Sequence, residues 1–410
     1  MIGRVVESRA NIVGGYLSWV MDSYDLGAVL VTAPVLGQLF FPSRRFTDHV
    51  VRPTAIVFTV IFRPIGGLVF GYVGDKLGRR FSLLVTVLGY SLSIGLTGFL
   101  PTYEEIGVSA TASLILLRSL QGIFIGGDVA GSFTISMEST PKLRGGLFSG
   151  VLQSGVLLGF TLVSLVQSSL VALLGSSFTN YGWRIVFWLG MIPAALAIII
   201  RLSMREPAVW LRRTHLNPPM KALFPLPQVF LVTLGNWIMV YASSTFMPTF
   251  LATILGLPPR IYAPLLIIFN AVGIPAMMIS GYASDLIGRR TTGVVASVMA
   301  IAGAAWFYAT VNAHHLTTQL LIFGFFLNLP SAIIPAYLAE RFRTHGRATG
   351  VGGVGYNGPF IIAGWTSVLI AVLSVVFGPY MAALITFTIG AVLMIIGLLL
   401  GPETRDTPLY

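Results

Sequence analysis

Two ten-residue stretches decide how this chain is read: Gly71-Tyr72-Val73-Gly74-Asp75-Lys76-Leu77-Gly78-Arg79-Arg80 and Gly281-Tyr282-Ala283-Ser284-Asp285-Leu286-Ile287-Gly288-Arg289-Arg290. They share the pattern G-Y-x-x-D-x-x-G-R-R at an offset of 210 residues. A second echo lies beyond each copy, where Glu138 precedes Arg144 by six residues and Glu340 precedes Arg347 by seven. Such self-similarity at a fixed offset means a duplicated unit. The residue types suit a tight turn between two helices. Glycine permits the reversal and close helix contact, aspartate caps a neighbouring helix N-terminus, and arginine pairs with a carboxylate. Asp75, Arg79 and Glu138 are therefore expected to form a latch, with Asp285, Arg289 and Glu340 as its second copy. The plainer alternative is a turn whose arginines only fix topology, but that needs no aspartate at the same place in both copies.

The turns interrupt a very apolar chain. Of 410 residues, 55% are hydrophobic and 10% charged, against roughly 45–50% and 25% in soluble domains. The mean hydropathy is +0.85. So much apolar surface needs lipid as its solvent, which excludes cytosolic enzymes, transcription factors and secreted domains. Twelve runs are each long enough to cross about 30 Å of hydrocarbon as a helix: 12–40, 53–74, 80–100, 110–137, 146–174, 183–203, 226–254, 261–284, 291–312, 316–339, 347–374 and 379–401. They are continuous where a β-barrel would alternate. The first is longer than a signal-peptide core and contains Asp22 and Asp25. The expected fold class is an all-α membrane protein, with twelve transmembrane helices in two pseudo-symmetric six-helix bundles. These are residues 1–203 and 226–410, joined by a cytoplasmic linker at 204–225 that carries Arg205, Arg212, Arg213, Lys221 and several prolines.

The net charge is +11. Its basic residues fall in short clusters between apolar runs, not on one face, so nucleic acid is not an expected partner. With the N-terminus inside, 18 basic residues are cytoplasmic: Arg4, Arg9, Lys76, Arg79, Arg80, Lys142, Arg144, Arg201, Arg205, Arg212, Arg213, Lys221, Arg289, Arg290, Arg341, Arg343, Arg347 and Arg405. Five lie outside: Arg44, Arg45, Arg52, Arg184 and Arg260. This bias gives an N-in/C-in, multi-pass protein of the cell membrane. There is no cysteine, hence no disulfide, thiolate metal site or cysteine nucleophile. His314 and His315 fall in an outer turn without acids nearby, so neither a metal nor a cofactor is expected. Gly122/Gly126, Gly127/Gly131 and Gly146/Gly150 read as close helix packing. The run Gly350 to Gly355 follows no strand and precedes no Gly-Lys-Ser/Thr, which argues against an ATP-driven pump.

On these residues the chain resembles the major facilitator superfamily, whose turn after the second span reads G-x-x-x-D-[RK]-x-G-R-[RK]. The resemblance covers essentially the whole chain. It extends to Arg118-Ser119-Leu120-Gln121-Gly122 through Gly126-Gly127-Asp128, to Gly182-Trp183-Arg184, to Arg205-Glu206-Pro207 and to Pro402-Glu403-Thr404. More narrowly, Met21-Asp22-Ser23-Tyr24-Asp25, Phe40-Phe41-Pro42, Arg63-Pro64-Ile65-Gly66-Gly67 and Leu152-Gln153-Ser154-Gly155 are similar to the metabolite:proton symporters and their sialate/lactate-type relatives. Those relatives usually carry Glu where this chain has Asp128, a charge kept on a shorter side chain. The resemblance implies transport by alternating access, with Tyr24, Gln121 and Gln153 among the candidate substrate contacts.

Five charges fall inside the apolar runs, all in the N-terminal half: Asp22, Asp25, Arg63, Arg118 and Asp128. A charge at mid-bilayer costs at least about 2.5–3.5 kcal/mol, so each needs a reason. Three acids against two arginines leave one negative charge that a single proton balances. Asp22 and Asp25 stand three apart on one helical face, where carboxylates repel and proton uptake is favoured. At about 1.5 Å per residue both lie roughly 15–20 Å deep and Arg63 about 18 Å, so they can meet. Asp22, Asp25 and Asp128 are the candidate proton carriers, and Arg118 and Arg63 the candidate anion ligands. Fixed ion pairs are the bland alternative for each, and Arg-Pro-x-Gly-Gly also reads as a packing and kinking device. The C-terminal half offers amides instead, Asn236, Asn270, Asn328 and Asn357, any of which also reads as an interhelical hydrogen bond.

The expected function is secondary active transport by a monomer in the lipid bilayer: a small organic anion, such as a lactate-type mono- or dicarboxylate, moves together with a proton, and no bond is changed. A symporter of a zwitterionic osmolyte, a sugar or a sialate-like sugar acid, and a proton-coupled exporter, are the alternatives. An enzyme would need a nucleophile–base or two-metal constellation in the spans, and a receptor a soluble domain.

Overall fold

The computed structural model describes residues 2–41, 54–141, 144–192, 195, 199, 206, 208–211 and 226–407. Arg44, Arg45, Arg52, Lys142, Arg201, Arg205, Arg212, Arg213 and Lys221, and most of the connection at 204–225, lie outside the described residues. Among those described there are helices and turns and no strand. The helices are α1 (Ile2–Phe40), α2 (Thr54–Lys76), α3 (Arg79–Phe99), α4 (Val108–Glu138), α5 (Gly145–Leu174) and α6 (Trp183–Leu189) in the N-terminal half. In the C-terminal half they are α7 (Pro227–Ile254), α8 (Ile261–Ile287), α9 (Arg289–Thr310), α10 (Leu316–Arg341), α11 (Thr349–Phe377) and α12 (Pro379–Leu400). Among the described residues nine of these, α3 to α5 and α7 to α12, are long and apolar enough to cross a membrane.

Several apolar runs that read as continuous are interrupted. Helix α8 changes at Val272, where Pro275 withholds the N–H that would bond to Ala271. Helix α10 tightens to a 3-10 turn at Pro330–Ile333. Helix α11 begins as a wide π-helical segment, Thr349–Asn357, and breaks ahead of Pro359. Non-α backbone is tolerated at membrane depth only where protein surrounds it. Here it does: Tyr356, Asn357, Ser331 and Asn328 are all buried.

Each repeated turn is closed by its glycine. Gly78 has φ 126° and Gly288 φ 97°, a region closed to other residues without strain. The same turns bring the two halves of the chain together. Gly146 of α5 faces Gly281 of α8 so closely that a Cβ on either would strike the other's carbonyl oxygen, and a Cβ on Gly67 of α2 would strike the carbonyl oxygen of Gly352 of α11. Backbones thus touch along α5–α8 and α2–α11. Close van der Waals packing is what holds helices together where lipid removes the hydrophobic drive.

Candidate functional site

The first latch assembles as the repeat suggests. Asp75 and Arg79 stand one helical turn apart across the Gly78 bend and pair at 2.5 Å. Arg79 Nη2 also donates to Glu138 at 3.4 Å and to the Thr344 carbonyl at 2.9 Å. Asp75 caps the start of α11, accepting the N–H groups of Ala348 at 3.1 Å and Thr349 at 2.9 Å and the Thr349 hydroxyl at 2.6 Å. Arg347 completes the cluster with a 2.7 Å bond to Glu138. The second copy repeats the plan: Arg289 pairs with Asp285 at 2.8 Å and with Glu340 at 3.2 Å. Asp285 accepts the N–H groups of Gly146 and Leu147, both at 2.8 Å, and so caps α5. Asp75, Arg79 and Glu138, and likewise Asp285, Arg289 and Glu340, are thus brought together by ion pairs.

Two further latch residues carry no assigned role in the sequence reading. Glu206 accepts the N–H groups of Arg79 and Arg80, each at 2.9 Å, and caps α3. Glu403 does the same for α9, accepting Arg289 N–H at 2.7 Å and Arg290 N–H at 3.0 Å. The available signal was the pair Arg205-Glu206-Pro207 and Pro402-Glu403-Thr404, one after the last apolar run of each half. Burial pushes the Glu206 carboxyl above its ordinary range, against the two N–H bonds that favour its ionised form.

Between the halves lies a second charged site. Arg63 of α2 pairs with Asp22 of α1 at 3.0 Å. Its Nε donates to Asn357 Oδ1 of α11 at 3.3 Å, and its guanidinium lies over the Phe360 ring at 4.8 Å. Asn357 Nδ2 in turn donates to the Gly126 carbonyl of α4 at 3.1 Å. Aromatic rings continue outward from this pair: Phe360 to Trp237 at 4.2 Å, Trp237 to Tyr356 at 5.1 Å, and Tyr356 to Trp19 at 5.6 Å. Gln153 Nε2 donates to the Tyr356 hydroxyl at 3.3 Å, and Asn236 accepts from the Ser331 hydroxyl at 2.7 Å. Asn328 bonds only to its own helix, at the Gly324 carbonyl, and Asn270 is half-buried on α8.

Asp25 and Arg118 sit within the N-terminal half. Among the described residues neither oxygen of Asp25 has a hydrogen-bond partner, although the carboxylate is buried. Arg118 donates from Nη2 to the Thr97 hydroxyl and lies over Phe187 at 5.6 Å, while its Nε and Nη1 have no hydrogen-bond partner among the described residues. Gln121, one turn from Arg118, has neither amide atom bonded. Tyr24 donates to the Val186 carbonyl at 3.1 Å. Asp128 is cradled by hydroxyls, Ser18 at 2.5 Å and Thr86 at 3.2 Å, which join α1 and α3 to α4.

Apolar helices that enclose ionised side chains between two latched halves define a membrane transporter, not an enzyme. The family description Major Facilitator Superfamily matches residues 54–364, and the chain belongs to that family. It is 28% identical over 388 residues to a protein assigned as a proline/betaine transporter in Staphylococcus aureus, covering 89% of this chain and 82% of that one. It is 26% identical over 426 residues to the shikimate transporter of Escherichia coli, covering 97% and 94%. A proton:xylose symporter of the same superfamily, solved with 6-bromo-6-deoxy-D-glucose, superposes with a TM-score of 0.85 at 17% identity over 99% of this chain and 98% of that one, a likeness of fold. This chain is thus a multi-pass plasma-membrane transporter of small metabolites.

Proposed function

We propose that the protein is a proton-coupled symporter of a small carboxylate-bearing metabolite. The observation that carries this reading is the enclosure of Asp25, whose oxygens have no hydrogen-bond partner among the described residues, one helical turn from the Asp22–Arg63 pair. An ionised carboxylate buried without partners is strongly disfavoured, so protonation is the natural means of carrying it through a closed state. A proton on Asp25 or Asp22 releases an arginine, the released arginine holds the substrate anion, and the neutralised assembly reorients at lower dielectric cost. Asp128, held by two hydroxyls, serves as a further proton site. Tyr24, Gln121, Gln153, Asn236, Asn270, Asn328 and Asn357 supply neutral contacts. Shikimate, proline and betaine, named for the two relatives, all carry a carboxylate, in keeping with an arginine at the centre of recognition.

The proposal includes the topology: twelve spans in two six-helix bundles, 1–203 and 226–410, joined through 204–225, with both termini and both latches cytoplasmic. A zwitterionic osmolyte is the second reading, favoured by the Trp19, Trp237, Tyr356 and Phe360 rings beside Arg63, since aromatic faces attract onium groups. Thermal unfolding of the purified protein with shikimate, L-proline, glycine betaine, L-lactate and D-xylose separates the readings. A ligand at 100 times its Kd adds about 2.7 kcal/mol of stability. At least one carboxylate is expected to raise the melting temperature and to lose that effect in Arg63→Gln or Arg118→Gln. Stabilisation by D-xylose alone would contradict the proposal.

A further inference from the structure

We infer that Asn357 is a positioning residue that ties the state of the central charge pair to the first latch through the π-helical segment Thr349–Asn357. The inference rests on the transport reading but not on the class of substrate. Asn357 belongs to the C-terminal half, yet its amide is bonded on both sides to the N-terminal half. Its oxygen accepts Arg63 Nε on α2 at 3.3 Å, and its nitrogen donates to Gly126 on α4 at 3.1 Å. At the other end of the same segment, the Thr349 N–H and hydroxyl are held by Asp75 of the latch at 2.9 Å and 2.6 Å. The nine residues from one anchor to the other, both included, contain Gly350, Gly352, Gly353 and Gly355 and follow a wide, rare helical path. Such segments are marginal as helices and frequent at functional sites.

The chemistry at Arg63 makes this segment responsive. A buried guanidinium has a fixed set of donors, and here they are divided between Asp22, Asn357 and the face of Phe360. Any group that captures Arg63 Nε releases the Asn357 oxygen. The α11 segment then loses its one bond to a charged group at the site end, where the neutral Asn357–Gly126 and Gln153–Tyr356 bonds remain, while Asp75 still holds the latch end. While Arg63 keeps Asn357, both ends are pinned and the α2–α11 contact is closed, with Gly67 against Gly352. Asn357 thus reports the occupancy of Arg63 along α11. Its expected loss is a loss of latch closure, which a residue that merely touches substrate would not produce.

The chain has no cysteine, so a single reporter is clean. Ala348 is fully buried beside the Asp75 cap at the α2–α11 contact, and Ala348→Cys reads latch opening as its rate of labelling by a maleimide. The experiment uses the full chain in lipid nanodiscs without ligand. Asn357→Ala in this background is expected to label at least about tenfold faster, because it removes the bond to the charged Arg63 together with those to the Gly126 and Gly352 carbonyls. Asn357→Asp places a carboxylate against Arg63 but gives up the donations to the Gly126 and Gly352 carbonyls; with Arg63 as the group that pins the segment, it is expected to label slower, by up to about tenfold. Opposite signs are the signature of a bond that pins the segment. Faster labelling in both variants would overturn the inference in favour of a packing role, and unchanged labelling in both would overturn it in favour of a substrate contact alone. If the alanine variant does not fold, the aspartate variant decides: slower labelling supports the inference, and unchanged or faster labelling overturns it. None of these outcomes bears on carboxylate recognition, which the ligand panel tests separately.

Discussion

The two latches are cut from the same ten-residue pattern and yet hold different things. In the first, Glu138 is shared by Arg79 at 3.4 Å and Arg347 at 2.7 Å, so one carboxylate joins the two halves of the chain by charge. In the second, Glu340 bonds Arg289 at 3.2 Å and the Thr404 hydroxyl at 2.6 Å, both within its own half. Arg144, which stands after Glu138 as Arg347 stands after Glu340, has an exposed residue environment and leaves α5 capped by Asp285. Duplication has kept the helix-capping aspartates and the glutamates that cap α3 and α9. What differs is the cross-half ion pair. A symmetric scaffold can therefore be bolted unequally, with the stronger bolt on the α2–α11 side that also carries Arg63 and Asn357.

The sharpest way to break this comparison is to remove the two glutamates in turn. Glu138→Gln leaves Arg347 without its carboxylate in a fully buried place, where losing one partner of a buried pair costs about 3 kcal/mol or more. Glu340→Gln keeps the Thr404 contact within reach and leaves Arg289 paired with Asp285, so its cost should be nearer 1 kcal/mol, that of a typical hydrogen bond. Thermal unfolding of the two purified variants measures both. Equal losses would mean that the latches are equivalent after all.

A smaller effect separates the capping glutamates. Burial raises the Glu206 pKa in the folded state, so its protonated form is the one that folding favours. Its contribution to stability is therefore present at low pH and is lost as pH rises through and above the ordinary glutamate range. Glu206→Gln keeps an oxygen for one of the two N–H groups, Arg79 or Arg80, gives up the second acceptor and cannot titrate. It should flatten a shallow decline of melting temperature with rising pH, and an unchanged slope would show that another group sets it.

Much of this was legible in the sequence for definite physical reasons. A duplicated turn with aspartate, glycine and arginine at fixed spacing specifies a cap, a left-handed glycine and a counter-ion, and Asp75, Gly78, Arg79 and Glu138 fill those roles. Depth counting along helices at a constant rise put Asp22 and Arg63 at one level, where they pair. The partners across the halves were not legible. Arg347 meeting Glu138, and Asn357 meeting Arg63, depend on how two bundles face each other, and periodicity within one helix carries no such information. The breaks in α8, α10 and α11 were hidden for a related reason: an apolar run records length and polarity but not whether neighbours satisfy the backbone that a proline frees. Asp128 reads from the sequence as a lone buried acid, while Ser18 and Thr86, distant in sequence, provide its cradle.

The contrast between halves extends to the buried interior of the protein, where the N-terminal half holds Asp22, Asp25, Arg63, Arg118 and Asp128 and the C-terminal half contributes amides. If that asymmetry is the proton machinery, it is tested most directly in proteoliposomes, by uptake of the carboxylate that best stabilises the protein, with and without an imposed pH gradient. Asp25→Asn should abolish gradient-driven uptake while exchange of substrate across an equilibrated membrane persists. Gradient-driven uptake that survives in both Asp22→Asn and Asp25→Asn would contradict proton coupling through these carboxylates.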